Sequence, residues 1–189
     1  MTEVERIYLE LSALRDLTVK AESPSDINAF ESLAAKALLL AAASYFERRI
    51  CEAIEATARD TGAAGPFVNF ISKQGLERKY HQLFDWDKPN VNRFLGLFGA
   101  DYKKIMDEDI QADDVLTTAI RDFMYLGSQR NQLVHKGFAS FLLESNMIEI
   151  WDKFLSASKF LDWLPKKLVG LSAPKQPDVN KDPSDAGLQ

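Results

Sequence analysis

Hydrophobic positions recur at helical steps along most of this chain. Val4, Ile7, Leu11, Leu14 and Thr18 stand three or four residues apart and predict one amphipathic helix. Ser23-Pro24-Ser25-Asp26 interrupts it, because proline resists continuation and either Ser25 or Asp26 can accept from the free amides of the next helix. From about Ile27 to Arg59 the chain holds no Gly or Pro and is rich in Ala and Leu, the strongest helix formers. Phe30, Leu33, Ala37, Leu40, Ser44, Ile50 and Ile54 trace one broad face there, with Leu38, Ala41 and Tyr45 beside it. So wide an apolar girth predicts a central helix, touched on several sides, whose alanines allow close approach. Gly62 and Gly65-Pro66 end it.

The pattern then breaks into short pieces. Phe67, Phe70 and Ile71 suggest one helix stopped near Gly75. Leu76, Tyr80, Leu83 and Phe84 suggest another, stopped by Asp85-Trp86-Asp87-Lys88-Pro89, and Val91, Phe94, Leu95 and Phe98 a third, ended at Gly99. These aromatic pieces read as a cap over an open end of the core or as the wall of a groove. A second long helix starts at Asp113 or Asp114, either of which can cap it. It turns Leu116, Ala119, Ile120, Phe123, Leu126, Gly127 and Leu133 to a core, and Gly137 is placed to terminate it. An apolar connector, Phe138 to Leu143, and the cap candidates Glu144-Ser145-Asn146 lead to a last helix, which Pro165 kinks or ends. Trp151, Phe160 and Trp163 follow helical spacing in it and belong to the core or to a dimer interface.

No strand pair or repeat interrupts this pattern. The fold class is all-α: a helical bundle with long central helices and short pieces in the middle, forming a single domain over residues 1–171. Residues 172–189 carry Pro174, Pro177 and Pro183 with almost no large apolar residue, and read as a disordered tail.

Composition narrows the function. A formal net charge of -5 excludes a basic nucleic-acid coat, so any RNA contact must be local. Cys51 is the only cysteine, and with two histidines no Cys/His zinc cluster can be assembled. No metal and no cofactor is expected. The acidic, polar N-terminus is unlike a signal peptide, and the apolar run from Ala37 to Ala43 is too short for a bilayer. A cytoplasmic protein without membrane contact is the expectation.

Candidate chemistry gathers late in the second long helix, in Ser128-Gln129-Arg130-Asn131-Gln132-Leu133-Val134-His135. Met124, Ser128, Asn131 and His135 form one row on a helix, with Arg130 about 100° around the cylinder. Arginine can grip a phosphate with two parallel hydrogen bonds, and histidine can move protons near neutral pH. The helix C-terminus also favours positive charge there. The plainer alternative is a helix-end pair, His135 capping carbonyls and Arg130 lying along the surface. Glu47 could reach the motif from the neighbouring helix or be a solvated charge. Arg48-Arg49 and Arg78-Lys79 are phosphate contacts or an ordinary solvated face, and His81 reads as a surface residue without a partner.

Arg130-Asn131-Gln132-Leu133-Val134-His135 resembles the Arg-Asn-x-x-x-His form of the signature of the HEPN superfamily (higher eukaryote and prokaryote nucleotide-binding domains). Ser44-Tyr45-Phe46-Glu47, Phe138-Ala139-Ser140 and the aromatic last helix resemble its ligase-associated RiboL-PSP-HEPN and toxin-like branch. The resemblance implies metal-independent endoribonuclease activity at a composite site across a homodimer. His135 would be the general base or acid and Arg130 the phosphate ligand, with Asn131 orienting His135 or binding phosphate. Glu47 would be a supporting residue. It further implies a toxin or phage-defence effector acting on RNA, with an antitoxin or sensor protein as partner. The family equally contains non-catalytic helical modules that dimerise or dock onto a nucleotide- or RNA-handling partner.

Overall fold

A computed structural model describes residues 1–20, 23–76 and 79–169. Its elements are α1 (Glu3–Lys20), α2 (Pro24–Asp60), α3 (Gly65–Phe70), a π-helical turn (Ile71–Leu76), α4 (Tyr80–Leu83), α5 (Asn92–Gly96), α6 (Ala100–Gln111), α7 (Asp114–Lys136) and α8 (Met147–Val169). No strand occurs among the described residues, so the all-α expectation holds. Arg78 and the tail from Ser172 onward lie outside them.

Helix starts and stops follow local chemistry. Ser23 stands at the N-cap of α2 with Pro24 in the first turn, so the helix opens before Ser25 and Asp26, the expected caps. Proline suits that position because its missing N–H would have no intrahelical partner. Asp113, not Asp114, caps α7, its carboxylate accepting from the amides of Val115 and Leu116 at 2.9 and 3.1 Å. Gly137 terminates α7 at φ +85°, a backbone region glycine enters without strain. Asn146 and Glu149 bond each other's amides reciprocally at the start of α8. Pro165 does not end α8, which runs on to Val169.

α8 packs against α7 and α2, and α1 lies along α2. Three of the long helices meet through rings: Phe46 of α2 stacks on Phe154 of α8 at 5.4 Å, and Phe123 of α7 lies 5.7 Å from Phe46 and 5.1 Å from Phe160. Phe160 is core, as its spacing implied, while Trp151 and Trp163 are half-buried against it. Trp151 also stacks on Tyr8 of α1 at 4.2 Å.

The buried face of α2 is rotated from the expected one. Ala34, Ala35, Leu38, Leu39, Ala42, Tyr45, Phe46, Ile50 and Ala53 point inward, whereas Leu33 is 56% exposed and Ala37 and Ser44 face solvent. Alanines line the interior because α7 and α8 both approach α2. A helix apolar on nearly all sides gives periodicity no single stripe to find. α2 is also the one described helix long and apolar enough to cross a membrane, but half of its most apolar window is buried within the bundle, as in a core helix. Likewise α1 buries Val4, half-buries Ile7 and Leu11, and leaves Leu14 exposed.

The middle segment is both cap and wall. Tyr80, Phe84, Val91, Phe94 and Leu95 are buried and join the main core, while Trp86 and Asp87 border open grooves. Gly75 sits inside the π-helical turn instead of stopping a helix, and Phe67 and Phe70 are exposed. α6 is a twelve-residue helix that begins right after Gly99, where the sequence pattern ended its third short piece and named no further element before Asp113.

Candidate functional site

The row along α7 climbs from the core to solvent. Met124 is buried, Ser128 and Asn131 are half-buried, and His135 is exposed one turn further on. Arg130 lies on the flank of this row, as its position around the helix requires.

Two recesses meet at Asn131. The first is a tight cleft of about 10 Å³, room for roughly one water, walled by Glu47, Tyr80, His81, Trp86, Arg130 and Asn131 among others. The second is an open groove of about 470 Å³, bordered by Asn131 and His135 together with Arg93, Lys136, Asp85 and Asp87. Ser128 and Trp86 continue it into a further groove of about 360 Å³ beside Lys88, Arg121 and Lys153. Arg130 Nη1 donates to Asn131 Oδ1 at 3.2 Å and sits 3.0 Å from His81 Nε2. Three of the four expected site residues, Glu47, Arg130 and Asn131, thus line one cleft, and His135 opens onto the adjoining groove past Asn131. Glu47 makes its approach from α2 by sharing that wall.

His81 is the residue that sequence reasoning missed. It reads as partnerless in one dimension because its neighbours come from α2 and α7. Burial holds its imidazole below the usual histidine range, Arg130 and His135 push the same way, and Glu47 opposes them. Next to it, burial raises the Tyr80 phenol well above its ordinary value, with Glu47 adding to the effect. The signal in the sequence was aromatic: Tyr80 and Trp86 bracket His81, and both anchor it. Trp86 Nε1 donates to the His81 carbonyl at 2.9 Å, and the Tyr80 ring packs edge-on to the His81 ring at 5.4 Å.

Arg48 and Arg49 are engaged within the fold. Arg48 pairs with Glu3 of α1 at 2.8 Å, and Arg49 donates to Tyr45 Oη at 2.7 Å and faces Asp162 of α8. They join α1, α2 and α8. Lys79 is exposed. A buried lysine went unnoticed in sequence: Lys36 of α2 is only 5% exposed and donates to the Phe138 carbonyl at 3.0 Å, just past the end of α7. No group of three or more His, Cys, Asp or Glu residues suited to a metal occurs among the described residues.

An all-helical bundle with an arginine–asparagine pair and a histidine on one long helix defines the class. The family description RiboL-PSP-HEPN matches residues 5–166. The chain belongs to the RiboL-PSP-HEPN family of the HEPN superfamily. No curated protein and no solved structure matches it.

Proposed function

We propose that this protein is a metal-independent endoribonuclease that cleaves RNA by attack of a ribose 2′-hydroxyl on the neighbouring phosphodiester. The observation that carries the reading is the position of Asn131, which borders both the Arg130 cleft and the His135 groove. A phosphate at that border meets a guanidinium suited to its equatorial oxygens. An exposed imidazole on the same face moves the proton. Arg93 and Lys136 along the groove hold flanking phosphates, which answers how a chain of net charge -5 attracts RNA locally. Asn131 orients the guanidinium through its 3.2 Å bond. Glu47 supports the site as the carboxylate on its far wall.

The biological reading is a toxin or phage-defence effector acting in the cytoplasm as a homodimer, held in check by an antitoxin or sensor protein. A two-fold axis would place two grooves side by side and lengthen the track for RNA. The test is incubation of purified protein with structured RNA in EDTA. Expected are products ending in 2′,3′-cyclic phosphate and 5′-hydroxyl, with rates falling about 10²- to 10⁴-fold in His135→Ala and Arg130→Ala. A wild type inert on a broad RNA panel, with both variants harmless in cells, leaves a docking module for an RNA-handling partner.

A further inference from the structure

We propose that His81, outside the Arg-Asn-x-x-x-His motif, is the general base of the site, paired with His135 as the general acid, an assignment that rests on the ribonuclease reading above. The starting point is the 3.0 Å contact between Arg130 Nη1 and His81 Nε2. A guanidinium has donors only and cannot accept. His81 Nε2 is therefore the acceptor, its lone pair directed at Arg130 and its proton on Nδ1. The imidazole is neutral, and the group poised to take a proton lies against the group poised to bind phosphate.

Surroundings reinforce this state. The groups facing His81 are Glu47 from α2, Tyr80 from its own helix, and Arg130 and His135 from α7. Burial and the two α7 groups disfavour the imidazolium, which makes the ring a weaker base than a free histidine and keeps its lone pair unprotonated at neutral pH. Glu47 works the other way and steadies the cation once it forms. His81 is exposed at the surface, so a substrate can reach it.

The step balances without any co-reactant. A phosphate oxygen that takes the Arg130 N–H displaces His81 from it and frees the Nε2 lone pair. That lone pair takes the 2′-hydroxyl proton as the 2′-oxygen bonds to phosphorus. The bond from phosphorus to the 5′-oxygen breaks, its electron pair leaves with that oxygen, and His135 supplies the proton. A 2′,3′-cyclic phosphate and a 5′-hydroxyl result, and the histidines exchange protons with water to reset.

The test is the pH dependence of kcat on an oligodeoxynucleotide carrying a single ribonucleotide, for wild type, His81→Gln and His135→Ala. Glutamine keeps an acceptor for Arg130 but cannot carry the proton, and thermal unfolding confirms the variant is folded. His81→Gln is expected to lower kcat about 10²- to 10⁴-fold with little change in KM. It is also expected to abolish the acidic limb of the profile, which in wild type falls below the usual histidine range. If His81→Gln keeps kcat within threefold while His135→Ala is inactive, the proposal is overturned and the ribonuclease reading stands. If kcat falls but the acidic limb persists, His81 only positions Arg130 and the base assignment fails. If the wild type cuts no RNA, both readings fall together.

Discussion

The indole of Trp86 occupies the space where any side chain at Gly127 would begin. A Cβ built on Gly127 would lie 1.9 Å from Trp86 Cζ3. Gly127 stands one turn before Arg130 on α7, and Trp86 holds the His81 carbonyl with its indole N–H. The missing side chain at 127 therefore sets the distance between the α4 segment and α7, and with it the contact between His81 and Arg130.

Gly127→Ala is expected to destabilise the fold by about 1–3 kcal/mol, the usual cost of overpacking, measured by urea unfolding. The same substitution should cut RNA cleavage, because Trp86 must move and take the His81 backbone with it. The Gly127→Ala/Trp86→Ala double variant should cost less in total than the two single changes summed. An additive result would show that the two residues do not press on one another.

The polar cap of the motif helix should be separable from its chemistry. Asp113→Ala removes the acceptor for the Val115 and Leu116 amides. We expect a loss of about 1 kcal/mol in unfolding free energy, with cleavage by the folded protein unchanged because Arg130 lies more than four turns away.

Lys36 makes a harsher demand. Its buried ammonium bonds the Phe138 carbonyl and lies 5.4 Å from the centre of the Phe138 ring. Lys36→Ala strips a charge-assisted bond and leaves a gap. The expected cost is about 1.5–3 kcal/mol by chemical denaturation, with faster amide exchange in the segment after Gly137.

Stability should bend with pH at both ends. Burial holds His81 below the usual histidine value, near 6.5. Between its folded value and that one, the unfolded chain binds more protons, so stability rises with pH across this window. His81→Gln should flatten that slope. At the alkaline end burial pushes Tyr102 up to about 12, and its hydroxyl is buried without a hydrogen-bond partner. The unfolded phenol ionises first, so stability falls as pH climbs from about 10 toward 12. The buried Tyr80 phenol, also held above its ordinary value, contributes to the same fall, so Tyr102→Phe should lessen it without removing it and leave neutral-pH stability equal or higher, by up to about 1 kcal/mol. Thermal melts across pH check both limbs.

The long helices, their ends at Gly62 and Gly137, and the row from Met124 to His135 were all legible in the chain. Each depends on local chemistry: periodicity, a cap, a glycine with positive φ. The inward face of α2 was not legible, because Leu33 and Leu38 are equally apolar and only the approach of α7 and α8 decides between them. His81 escaped for a related reason. Its partner Arg130 is 49 residues away, and nothing in the spacing of either reports a meeting that the Trp86 and Gly127 packing brings about. Lys36 shows the limit from the other side, a cation in an alanine-rich stretch whose acceptor is a backbone oxygen and leaves no trace in residue type.

Tyr80 and His81 are consecutive in a four-residue helix, yet one is sunk in the aromatic core and the other faces water. Packing and polar contact thus fall to different residues of one short helix. A change at position 81 alters what solvent meets and leaves the core ring at position 80 in place. The scaffold and the polar rim can therefore be probed independently of one another.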